Sequence, residues 1–222
     1  YSVNTEVVEY KIPYRETIKG KSDVQGKHKK QSGGAGQYGD VFIRFESTDE
    51  EFLFDEEVFG GAVPKNYFPA VEKGLEESLL EGPLGGFKVT GIHATLYDGS
   101  YHPVDSNEQA FKTAARIAFK KGIEEADPIL LEPVMKLEIK VPEENMGDVM
   151  GDMNKRRGRI LGINPQEDGS QIILAEAPLS EVLSYAIDLR SQTSARGSFS
   201  MEFERYEEVP KEIAQKVIED RS

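Results

Sequence analysis

A strand–helix–strand pattern that occurs twice in succession constrains this chain most. Met135 to Val141 (MKLEIKV) alternates apolar and polar residues with the period of two that a half-buried strand demands. Glu143 to Arg156 then puts Met146, Val149, Met150 and Met153 on one side of a helix, and Arg159 to Ile163 returns as a strand. Ile172 to Ala177 opens the second round. Leu179 to Leu189 supplies its helix, carrying Leu179, Val182, Leu183 and Ile187, and Phe199 to Phe203 closes it. Pro142 and Pro178 stand where each helix follows its strand, a position that suits the fixed φ of proline. Two such passes predict a ferredoxin-like split βαβ sandwich.

The part before it mixes strands and helices differently. Val3 to Tyr14, Val41 to Phe45, Glu51 to Asp55 and Lys88 to Tyr97 read as strands, and Asp98 to Val104 as a loop. Residues 19–39, rich in glycine and poor in large apolar side chains, read as a long flexible excursion. Pro69 to Leu80 is helical, with Val71, Leu75 and Leu79 at a spacing of four, and Gly82-Pro83 stops it. Asp105 with Glu108 has the spacing of a capping box for the next helix. Ala110, Phe111, Ala114, Ala115, Ala118 and Phe119 form its core stripe, whose small members allow close approach to a sheet. Asp127-Pro128 and Pro133 mark a boundary. The expected division is 1–127, 128–207 and a terminal segment 208–222, giving a two-domain α+β protein. The helix Pro210 to Asp220 is too short to stand alone and has to dock back.

Composition narrows the function classes. The chain has no cysteine, which excludes disulfides and thiolate metal sites. No apolar run reaches the ~18 residues of a membrane span, and the opening YSVNTEVVEY has neither a signal peptide's blocks nor an initiator Met. A piece of a longer cytoplasmic protein, monomeric and not bound to membrane, is expected. The formal net charge of −13 opposes a nucleic-acid partner, but the charges are patchy. Seven bases and two acids lie between Lys11 and Lys30, and seven acids without a base between Glu46 and Glu57. Lys155, Arg156, Arg157 and Arg159 form a second basic island.

Two motifs fail on context. RETIKGKS (Arg15 to Ser22) ends like a P-loop but has Arg15 where the first glycine belongs, and no helix can follow it. GAGQYG (Gly34 to Gly39) has dinucleotide-fingerprint spacing but opens a strand. His28, His93 and His102 show no metal-ligand spacing, and no nucleophile–base set stands out. Catalytic, cofactor-binding and metal residues are therefore not assigned.

The strings KKQSGGAGQYGDVFIRFE, GAVPKNYFPAVEKGL, YDGSYHPVDSNEQAFKTAARIAF and ILLEPVMKLEIKVPEENMGDVMGDMNKRRGRILGI closely resemble elongation factor G. They match its fourth and fifth domains in order, and PLSEVLSYAIDLRSQTSARGSFSMEF and VPKEIAQKVIED extend the match over nearly the whole chain. The resemblance implies a first domain with the α/β fold of a small-subunit ribosomal protein's second domain, and a ferredoxin-like second domain. It implies a ribosomal partner: rRNA of the decoding region, tRNA and mRNA at the first domain's tip, and the large-subunit GTPase-associated centre at the second. GTP and magnesium would belong to an N-terminal domain of the parent GTPase. The implied tip is Lys29, Lys30, Gln31, Ser32, Gly33, Gly34, Gly36, Gln37 and Tyr38, with Ser100, Tyr101 and His102 in a second loop. Glycines would permit close approach to RNA, Gln31, Ser32 and Gln37 would offer polar contacts, and Tyr38 would either stack on a base or pack at the strand start.

One departure stands out. The family's usual GGRGQYG reads GGAGQYG here, so Ala35 replaces an arginine that suits phosphate, with Lys27, Lys29 and Lys30 nearby in sequence. This looks like an elongation factor G-like second copy. Translocation is the leading expectation, with ribosome recycling or ribosomal protection against an antibiotic as alternatives in the family. A nucleotide-binding enzyme and a protein-interaction module built on the acidic run are the rivals from other classes.

Overall fold

The structure, a computed structural model, describes residues 11–31 and 33–221. In chain order its first elements are β1 (Arg15–Ile18), β2 (Ser22–Lys30), β3 (Gln37–Ser47), β4 (Phe52–Glu56), α1 (Phe68–Ser78), β5 (Lys88–Val89), β6 (Ile92–Ser100) and α2 (Glu108–Glu125). There follow β7 (Pro128–Pro142), α3 (Met146–Lys155), β8 (Arg159–Pro165), β9 (Ser170–Pro178), α4 (Leu179–Val182), α5 (Tyr185–Gln192), β10 (Ser198–Glu208) and α6 (Lys211–Arg221). Contacts gather them into two compact units: Tyr14–Leu131 with the residues from Glu208 onward, and Glu132–Glu207 with residues 11–13. Of the expected strand Val3 to Tyr14, residues 1–10 lie outside the described residues and 11–14 are not in a strand.

The first unit is built on a sheet in the order β2-β3-β6-β4, antiparallel except for β4 beside β6. Val41, Ile43 and Phe45 of β3 and Ile92, Ala94 and Leu96 of β6 make a core with Val71 and Leu75 of α1 and Phe111, Ala115 and Phe119 of α2. The flexible excursion expected at residues 19–39 is instead a β-hairpin, with Ser22 to Lys30 paired against Phe45 to Gln37. Its strand hid because an inward position is bare. A Cβ on Gly26 would come 2.1 Å from the Ala114 carbonyl oxygen, and one on Gly39 2.5 Å from that of Ala110. Helix α2 lies so close that its alanine stripe needs glycine opposite, and apolar alternation never develops.

Two further boundaries differ from expectation. Lys88 to Tyr97 is not one strand, because Gly91 turns the chain at φ 75°. Before it, β5 pairs with β1; after it, β6 pairs with β3 and runs on to Ser100, into the expected loop. Helix α2 is capped by Asn107, whose side-chain oxygen accepts from Ala110 N at 2.7 Å, and not by Asp105. Asp105 is engaged elsewhere, its carbonyl accepting from Tyr38 N at 3.0 Å. A small sheet of β5, β1 and the first residues of β7 completes the unit. Helix α6 docks here, as Arg221 donates to the Gly85 carbonyl at 3.1 Å and lies 4.4 Å from the Phe87 ring centre.

In the second unit the strands stand in the order β10-β7-β9-β8. Counted within the unit that is fourth, first, third, second, the ferredoxin-like order expected from the doubled pattern. Leu137, Ile139, Val141, Ile173 and Ala175 pack against Val149, Met153, Val182, Tyr185 and Leu189. The single helix expected from Leu179 to Leu189 breaks at Leu183-Ser184 into α4 and α5. The Glu181 carbonyl at the break accepts from Arg156 Nη1 at 2.7 Å. Val182, Tyr185 and Leu189 face inward at spacings of three and four, while Leu183 and Ile187, expected in the core, are exposed.

Candidate nucleic-acid interface

Two loops meet at one end of the β2-β3-β6-β4 sheet. One joins β2 to β3 beyond the last pair, Lys30 with Gln37; the other leaves β6 just past Ser100, which pairs with Asp40. Ser106 ties them together. Its hydroxyl accepts from His102 N at 2.8 Å and donates to the Tyr38 carbonyl at 2.8 Å. Its own amide donates to the His102 carbonyl at 3.2 Å, and Tyr67 Oη donates to its carbonyl at 3.1 Å.

A polar chain runs beneath. Ser100 Oγ donates to Asp40 Oδ2 at 2.7 Å, so its contact of 2.6 Å with Tyr38 must be donated by the phenol. Gln25 donates to the other Asp40 oxygen at 2.7 Å. Asp40 is 5% exposed, a buried charge whose two oxygens are both satisfied.

The residues predicted for the tip divide accordingly. Lys29, Lys30, Gln31, Gly33, Gly34, Tyr101 and His102 are exposed, and Ser32 lies outside the described residues. Gly33 has φ 32° and open space where a side chain would go, which fits close approach by a partner. Gly36 and Gly39 serve internal packing instead. A Cβ at Gly36 would come 2.7 Å from Asp105 Oδ2, and Gly39 faces α2. Gln37 gives its carbonyl oxygen to His28 Nε2 at 2.7 Å. Tyr38 is half-buried, with its hydroxyl on Ser100 and Lys27 Nζ 5.5 Å from its ring centre. These are the contacts that the packing alternative expects of Tyr38.

His102 takes the local backbone as partner. Its Nδ1 accepts from Val104 N at 3.2 Å and from Asp105 N at 3.0 Å, while its side chain stays 48% exposed. Sequence reading missed Asp40, Asp105 and Ser106. Asp40 carried a signal, since an acid directly after Gly39 in an apolar strand is a candidate for a buried network.

The cations also divide. Lys27, Lys29 and Lys30 are exposed and have no ion pair among the described residues. Three of the four cations in the second basic island are paired with carboxylates, although Lys155 and Arg159 are exposed. Arg157 binds Glu132 through two bonds of 2.7 and 3.1 Å and reaches Glu181 at 3.2 Å. Arg156 pairs with Asp152 at 2.9 Å and with Asp188, and Arg159 with Glu176 at 3.1 Å. These hydrogen-bonded carboxylates hold Arg156 and Arg157 above the usual guanidinium range, against the burial that opposes them.

Within the acidic run, Glu46 and Asp55 bracket His93 at 3.1 and 2.7 Å, and Glu57 pairs with Arg44. An open groove of about 800 Å³ passes over these residues. Beside it Tyr97 is pushed up to about 12 by burial and by its hydrogen bond to Asp23. Neither nucleotide-like motif gains a nucleotide-binding setting. Gly20 and Lys21 lead into strand β2, where the Ser22 hydroxyl donates to the Gly122 carbonyl at 2.7 Å, and Gly36 leads into strand β3. Among the described residues, no group of three or more acids and histidines is placed to hold a metal, and no helix is long and apolar enough to cross a membrane.

Comparison with known proteins agrees with this architecture. Residues 10–127 match the family model for elongation factor G, domain IV, and residues 129–217 match that for the elongation factor G C-terminus. A crystal structure of a protein from Thermus thermophilus is similar at 47% identity and a TM-score of 0.85, over 96% of this chain and 32% of that one. The chain thus spans about a third of that protein's length. The chain belongs to the elongation factor G family, of which it carries domain IV and the C-terminal domain.

Proposed function

We propose that this chain is the ribosome-contacting arm of an elongation factor G-like translational GTPase, and that its tip enters the decoding region while tRNA and mRNA are translocated. One observation carries the reading: two loops are fastened side by side at one sheet end and present free lysines beside a half-exposed histidine. Phosphate contacts set affinity in such a surface and position it without reading sequence. GTP and magnesium would be held by a separate N-terminal domain of the parent, and the second unit would face the large-subunit GTPase-associated centre.

The test is binding of the chain to isolated small ribosomal subunits, with chemical footprinting. Protection is expected in the decoding region. Changing Lys29 and Lys30 together to Ala should lower the salt slope by about two, one for each phosphate that is no longer neutralised. Protection confined to sites remote from the decoding region refutes the proposal.

Ala35 supports a second reading, in which the parent recycles or protects ribosomes. It is exposed and brings no charge to the loop where the family's usual sequence has arginine. If translocation is the task, Ala35→Arg in the full-length parent should raise the translocation rate. An unchanged rate shows that Ala35 does not limit translocation and removes this support for the second reading.

A further inference from the structure

The backbone around His102 selects one tautomer of its ring before any partner arrives. Its Nδ1 receives two backbone N–H groups, from Val104 at 3.2 Å and Asp105 at 3.0 Å. A nitrogen that accepts cannot carry a proton, so the proton of the neutral ring sits on Nε2. The Asp105 carboxylate lies 3.7 Å from the same Nδ1, beyond hydrogen-bond range. Protonating Nδ1 to reach it would break both N–H contacts. Nε2 has no hydrogen-bond partner among the described residues, and the side chain is 48% exposed. The loop is itself held, because Ser106 Oγ accepts from His102 N and donates to the Tyr38 carbonyl.

We propose that the amides of Val104 and Asp105 lock His102 as the Nε2–H tautomer, with Ser106 as its positioning residue, so that the tip offers RNA an Nε2–H donor. The group it meets is then a hydrogen-bond acceptor of the RNA, not the face of a base. The ligand half rests on the RNA-binding reading above. The tautomer half does not, since it concerns the free chain.

The test has two arms. In the free chain at pH 8, where histidine is neutral, nitrogen-15 NMR of the ring should show one Nε2–H form for His102, assigned by its loss in His102→Phe. The amide protons of Val104 and Asp105 should exchange about tenfold faster in His102→Phe and in Ser106→Ala, with Ser106→Thr restoring protection. An Nδ1–H form, or amides indifferent to these changes, overturns the lock.

In the second arm the probe is the isolated small ribosomal subunit. His102→Gln, which keeps an N–H donor at similar reach, should bind within about threefold of the parent. His102→Phe should bind about tenfold weaker, near the upper end of one hydrogen bond's worth. Equal binding by His102→Phe refutes the donor. If the unaltered chain does not bind at all, the RNA reading and the ligand half fall together, while the spectrum still decides the lock.

Discussion

Replacing Glu16 by Gln should destabilise the first unit by about 2–4 kcal/mol, although only one oxygen becomes an NH2 group. Glu16 is fully buried on β1. Its carboxylate accepts three backbone N–H bonds from one loop: Leu84 at 2.7 Å on Oε1, and Gly85 at 3.1 Å and Phe87 at 2.8 Å on Oε2. The loop fits closely, for a Cβ on Gly82 would sit 2.4 Å from the carboxyl group. Glutamine can turn its oxygen toward Gly85 and Phe87, but its amide then points donor-to-donor at Leu84 N. The cost is one stranded donor at ~1–3 kcal/mol and two bonds that lose their charge assistance at ~0.5 kcal/mol each. Urea unfolding followed by circular dichroism and tyrosine emission suits a chain with nine tyrosines and no tryptophan. Glu16 belongs to the first unit, so the shift should appear in the signals that report on that unit. The amides of residues 84, 85 and 87 should exchange faster in Glu16→Gln, while the exposed control Glu76→Gln stays within about 0.5 kcal/mol. A Glu16→Gln protein as stable as its parent, with those amides unchanged, would refute the claim that the carboxylate holds the loop.

Gly26→Ala should cost about 3 kcal/mol, because its Cβ meets backbone that cannot move aside, whereas Gly151→Ala, in a helix with nothing within 4 Å, should gain up to about 1 kcal/mol; thermal unfolding of the pair checks the contrast. Glu176 is held down to about 2, first by its hydrogen bonds to Arg205 and then by Arg159. A depressed carboxylate stabilises fully above its unfolded value near ~4.3 and loses that contribution as pH falls toward about 2. Acid unfolding of Glu176→Gln should therefore depend less steeply on pH in that window, and an unchanged slope contradicts the ion pair. Tyr185 is fully buried with no partner for its hydroxyl among the described residues, and burial pushes it up to about 12. Tyr185→Phe should be neutral or stabilising by about 1 kcal/mol in urea, and a loss larger than that shows that the hydroxyl is satisfied.

The second unit was legible in the sequence because each of its strands carries its own apolar period, and Val149 and Met153 face the core where the helical spacing puts them. The β2 strand was not, and the reason is mutual fit: a helix with alanines at 110, 114 and 118 needs bare strand opposite, so Gly26 and Gly39 look like loop residues. The alanine stripe was visible in α2, and its demand for glycine partners was the usable signal. The break at Leu183-Ser184 had no local signal, since neither glycine nor proline stands between Leu179 and Leu189. At the tip, motif resemblance located both loops but not their fastening. Asp105 and Ser106 resemble helix-start residues, and only the folded contacts show them joining His102 to Tyr38.

A chain of net charge −13 can still meet RNA if its cations and anions are far enough apart to be felt separately. In the second unit Arg156, Arg157, Arg159 and Arg205 are bound to carboxylates and add little free field. In the first, Glu46 lies eight residues along β3 from Tyr38, or about 26 Å of extended strand. That separation is about three Debye lengths at physiological salt but less than one at ~0.01 M. If the tip contacts RNA as proposed, the acidic body and the basic tip are sensed together at low salt, and the RNA should be repelled. Near ~0.1 M the body is screened and the tip lysines act alone. Above that, counterion competition weakens the tip as well. Association with small subunits should thus pass through a maximum with rising salt, instead of falling throughout as it does for a uniformly basic protein. A monotonic fall from 0.01 M upward would show that the acids of the first unit do not oppose the tip, and that the separation along β3 has no bearing on binding.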